Sequence, residues 1–183
     1  MNNPVLYISP KFRKRILIIL ILVTLALMAL LNGINKPLIS SVSPFGIISF
    51  ELAGTLDSAQ KILADWGETL RLIAAFSLGL DYVFMLAYPL AIGLACSWIA
   101  EELAAHHHPL AALGIWLAWA QGLAAFLDAI ENISLIEVLL GMEIALWPRL
   151  AQICAVSKFV LVISGLLYVI FGLVSYLVVR RQK

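Results

Sequence analysis

The sequence predicts an all-α integral membrane protein. Four transmembrane helices form a bundle, and a short amphipathic helical segment lies outside the cytoplasm between the first and second. Three observations carry this reading. Of the 183 residues, 63% are hydrophobic and only 13% are charged, against about 45–50% and about 25% in soluble domains. The apolar residues gather into four long runs, each near or above the roughly 20 residues that cross a hydrocarbon core. Basic residues cluster just before the first run and just after the last.

The first span covers about residues 14–32. Lys11, Arg13, Lys14 and Arg15 precede or open it, and Asn32-Gly33 closes it. A basic stretch before an apolar run also describes a signal peptide. No small-residue cleavage pattern follows, so the run is expected to be a retained signal anchor.

Residues 43–67 form the extracytoplasmic segment. Ser43-Pro44 has the form of an N-cap followed by proline in the first turn, and Thr55 is a second N-cap candidate. Leu56, Ala59, Ile62, Leu63 and Trp66 recur at spacings of three and four, the period of an amphipathic helix. Asp57, Lys61 and Asp65 take the opposite face, and Gly67 can end the helix. The segment is too short and too charged to span. It is expected on the bundle or in the headgroup layer, with Trp66 at the interface.

The second span covers about residues 70–100, where Pro89 is expected to kink the helix near Met85. Glu101, Glu102 and His106 to His108 make a polar connection. The third span covers about 109–138, its helical period continuing through Asp128, Glu131, Asn132 and Glu137. Gly141 to Arg149 read as a turn region, and the fourth span covers about 155–179 before Arg180, Arg181 and Lys183. The whole is expected to be a single membrane domain.

The basic clusters place both termini in the cytoplasm by the positive-inside rule, in a plasma or inner membrane. This topology puts nine of the eleven acidic residues in the outer half or outside. The net charge of +1 offers no field for nucleic acid. Cys96 and Cys154 are expected on opposite sides of the membrane, about 30 Å apart at 1.5 Å per helical residue, and so are read as free thiols.

The unusual chemistry is inside the spans. Asp81 lies deep in the second span, where a lone carboxylate costs about 2.5–3.5 kcal/mol. Gln121, Asp128 and Asn132 lie on one stripe of the third helix, with Glu131 beside it. Lys158 is about one turn inside the outer end of the fourth. These six are expected to converge on a polar cluster, with Lys158 paired to Asp128 or Glu131 and with Glu51 as a further member. Tyr82, Phe84, Met85, Tyr88 and Trp119 are candidate walls of a pocket beside it. Gly114, Ala118 and Gly122 recur every four residues and permit close helix approach. Gly165 and Gly172 follow Lys158 at intervals of seven.

No catalytic motif is present. His106 to His108 are adjacent and share no helix face, and no further ligand stands at metal-site spacing, so neither a metal nor a cofactor is expected. The pattern of apolar walls with a few convergent polar groups points to non-catalytic binding, through this outward-facing polar cluster and a cavity opening outward beside it, of a lipid or other amphiphile, or of a membrane-protein partner or second copy of the chain. The alternative is a membrane-embedded enzyme on a lipophilic substrate, using the intramembrane carboxylates as acid and base.

Overall fold

A computed structural model describes Asn3 and residues 8–181. Lys183, counted above in the C-terminal basic cluster, lies outside the described residues. The chain forms α1 (Pro10–Asn35), a short 3-10 turn (Lys36–Leu38), α2 (Ile47–Glu51), α3 (Leu56–Ala105), α4 (Ala111–Leu139) and α5 (Leu146–Arg181). Among the described residues there is no β-strand. Four helices among the described residues are long and apolar enough to cross a membrane. Only 6% of the apolar stretch of the first is buried in the protein. In water that exposed apolar surface would be costly, whereas lipid tails accept it.

Local chemistry explains the boundaries. Thr55 caps α3 as expected, its Oγ1 accepting from the Ser58 backbone N–H at 3.2 Å. Gly67 breaks the helix: at φ 59°, ψ −171° it is the one non-helical residue inside α3. Such a conformation is readily reached only without a Cβ. The dihedrals stay helical through Pro89. α5 begins at Leu146, ahead of the predicted span. Pro148 falls in its first turn, where the missing N–H breaks no helical bond. α2 begins after Gly46, later than the Ser43-Pro44 cap suggested. Ser43 is otherwise engaged, donating its hydroxyl to Leu38 O at 2.6 Å.

The residues group into two compact units. The first comprises residues 1–24, 87–125 and 159–183, and the second comprises 25–86 and 126–158. In the first unit, small residues let helices approach closely. A Cβ on Gly93 would meet the Ala118 carbonyl at 3.1 Å, and one on Gly165 would crowd Ile92 and Gln121. Gly172 lies against Ile99, and Gly114 against the Tyr168 ring. The Tyr168 hydroxyl donates to Leu110 O at 3.1 Å. Arg13 ties α1 to α3 through Glu101 at 2.8 Å. A Cβ on Gly122, grouped above with Gly114 and Ala118, would meet nothing within 4 Å, and the residue is exposed.

In the second unit the amphipathic period is used from Ala59 to Trp66, while Leu56 at its start is half-buried. Ala59, Ile62, Leu63 and Trp66 are buried with Phe50 and Leu38. Trp66 is therefore a core residue, 3% exposed, and not an interface anchor. Its indole N–H is satisfied inside, by Leu38 O and Ser43 Oγ, each at 3.0 Å. A buried donor needs such partners, and the preceding connection supplies them. On the exposed face Lys61 pairs with Asp57 at 2.7 Å, a contact of little energetic weight in water.

Candidate functional site

The polar cluster belongs to the second unit. Asp128, Glu131 and Asn132 occupy adjoining positions on one face of α4 and are 2%, 0% and 1% exposed. Their spacings of three and four put all three toward the interior. On α5 the buried stripe Ala151, Cys154, Ala155 and Lys158 has the same spacing, so the ammonium is carried inward with its small neighbours. Lys158 Nζ donates to Asp128 Oδ1 and lies 2.8 Å from Glu131 Oε2. Asn132 Nδ2 donates to Asp81 Oδ2 at 2.7 Å, joining α4 to α3. Glu51, the last residue of α2, is buried within hydrogen-bonding reach of Glu131.

The residues expected to converge are thus brought together with one exception. Gln121 belongs to the first unit, where its Nε2 donates to Leu117 O at 3.3 Å and Leu161 O at 3.1 Å. Sharing a helical stripe with Asp128 was not enough, because α4 is long and Gln121 lies two turns away. Met85 and Tyr88 are buried, Tyr82 and Phe84 half-buried. Trp119 is 46% exposed and faces outward.

The electrostatics are unbalanced. Glu51, Asp81, Asp128 and Glu131 bring four carboxyl groups to one ammonium. Glu131 is wholly buried; its Oε2 faces the Lys158 ammonium, and its Oε1 has no hydrogen-bond partner. Burial pushes the Glu51 carboxyl above its ordinary 4.5; Lys158 draws it back and Asp128 raises it further. The chain then loses stability as pH rises. Below 4.5 Glu51 is protonated whether folded or unfolded. Above it the unfolded chain releases the proton while the folded one keeps it. Glu51→Gln removes this dependence. The melting temperature of the variant in detergent, relative to the parent, is expected to climb from pH 4 upward and to level off only above the folded value of Glu51. A difference independent of pH would contradict this.

The first unit contains a feature that the sequence did not reveal. A cavity of about 610 Å³ lies among α1, α3 and α5. Its walls are apolar, including Leu17, Ile21, Trp98, Ile99 and Val169, and Glu102, His106 and His108 also line it. Glu102 and His106 are solvent-exposed. His108 is oriented by the Leu110 N–H, which donates to its Nδ1 at 3.2 Å, and by the Phe171 ring 6.0 Å away. None of Tyr82, Phe84, Met85, Tyr88 and Trp119, proposed above as pocket walls, borders this cavity. Its wall residues carry no distinguishing pattern, because an apolar side chain facing a void resembles one facing lipid. Among the described residues no three His, Cys, Asp or Glu side chains are placed to hold a metal. Cys96 and Cys154 are both buried free thiols.

No protein family, curated protein or solved structure matches this chain.

Proposed function

We propose that this protein is a membrane-embedded binding protein for amphiphiles. It seats one apolar chain in the cavity among α1, α3 and α5 and presents Glu102, His106 and His108 to the polar end. The observation that carries the reading is the cavity itself. At about 610 Å³ it falls in the range of roughly 300–1,000 Å³ typical of small-molecule sites. Apolar walls with a few polar groups give affinity through burial and orientation through hydrogen bonds. On the topology read from the basic residues, this cavity lies in the cytoplasmic half of the membrane.

The polar cluster takes the different role of holding α2, α3, α4 and α5 together within the second unit. Its carboxyl groups do not line the cavity. Acid–base chemistry on a bound amphiphile would fall to Glu102 and the two histidines alone, which is why binding is preferred to catalysis.

Native mass spectrometry of the detergent-purified protein tests the reading. The parent is expected to retain one amphiphile. Ala95 lines the cavity and is half-buried, so Ala95→Phe fills the space from within a helix that tolerates it. Retention is expected to fall by about tenfold or more, the equivalent of about 1.4 kcal/mol, with the melting curve little changed. A parent that retains nothing, or a filled cavity that binds as before, would overturn it.

A further inference from the structure

The second unit buries more acid than its ammonium can balance. Lys158 is committed to Asp128 and Glu131. Asp81, only partly buried, is held by Asn132. That leaves Glu51 on α2 and Glu131 on α4, 9% and 0% exposed, with their carboxyl groups in hydrogen-bonding reach. The Lys158 ammonium reaches Glu131 Oε2 at 2.8 Å, and Glu131 Oε1 has no donor from the protein. Two carboxylates at that separation and depth repel each other strongly. They become mutually attractive when one carries a proton and donates its O–H to the other. A carboxylic acid is also the smallest group that supplies the missing donor.

We infer that Glu51 and Glu131 form a proton-binding site, one proton being held between the two carboxyl groups at neutral pH. The pair then carries one negative charge, facing Lys158 on α5. The other titratable groups around it are Asp128 on α4, Asp81 on α3 and the Cys154 thiol on α5. Release of the proton sets like charges face to face across the junction of α2 and α4. α2 has only five residues, and its other buried side chains are Ile47 and Phe50. The site therefore links protonation to the docking of this short helix.

Infrared spectroscopy of the purified protein near neutral pH is the test. A carboxylic acid shows a C=O stretching band separate from that of carboxylates. The band is expected in the parent, and it should shift when the protein is made with glutamate carrying a heavy carboxyl-carbon isotope. This labelling needs no mutation and separates the pair from Asp81. The other glutamates, Glu68, Glu101, Glu102, Glu137 and Glu143, are exposed or half-buried. Glu51→Gln and Glu131→Gln should each abolish the shifted band, since either leaves one carboxylate with an amide donor. Absence of the band, a band indifferent to labelled glutamate, or a labelled band surviving in either folded variant would each overturn the assignment.

Discussion

Lys158→Met is expected to destabilise the protein by about 3–5 kcal/mol, because removing one partner of a buried ion pair leaves the other uncompensated. Here two partners are left. Asp128 loses its donor and Glu131 loses the cation 2.8 Å from its Oε2. The side chain is too enclosed for water to replace the ammonium, Lys158 being 7% exposed. Methionine matches the length of the stem, so the loss reports charge and not volume. Thermal melting in detergent measures it, at roughly 2–4 °C per kcal/mol for a chain of this size. Adding Asp128→Asn should recover part of the loss, giving a coupling energy of about 0.5–3 kcal/mol. Lysine side chains near helix ends can extend to the interface, and a neutral Lys158→Met would show that this one does.

Trp66→Ala is expected to cost about 3–5 kcal/mol as well, the range for emptying a large buried aromatic site. The ring packs against Phe50 with centroids 5.4 Å apart. Its N–H is one of the ties that hold the connection after α1 to the second unit. Truncation removes both, and the connection between Leu38 and Thr55 should open before the long helices do. Limited proteolysis is expected to cut within residues 39–55 of the variant at temperatures where the parent stays whole. Trp66→Phe keeps most of the packing and loses the two hydrogen bonds, so its cost should be smaller, about 1–3 kcal/mol for the polar groups left unpaired. Equal sensitivity of parent and Trp66→Ala in that segment would mean that the tryptophan does not anchor it.

Helix content and candidate spans were determined by the sequence itself. Apolar runs of span length admit few structures in lipid, since every backbone polar group must be satisfied within the segment. Thr55 and Gly67 were legible for a similar reason, as cap and break act through their own backbone. The meeting of Lys158 with Asp128 and Glu131 was also legible. A short connection between α4 and α5 makes the two helices antiparallel neighbours, and opposite charges at matching depth in an apolar medium have nowhere else to turn.

What only the tertiary structure decided was the use of faces. Trp66 has the amphipathic character of an interface residue, and only the position of Leu38 O and Ser43 Oγ turns it into a core residue. Gln121 shares a stripe with Asp128, but its partner carbonyl is Leu161, in the other unit. Glu51 was expected as a further member of the cluster, but it comes from a five-residue helix whose docking no periodicity announces. The cavity among α1, α3 and α5 is the clearest case. In a membrane protein lipid-facing, core-facing and cavity-facing positions are all apolar, so residue type does not separate them. Only the distances between helices show which apolar surface is left unfilled.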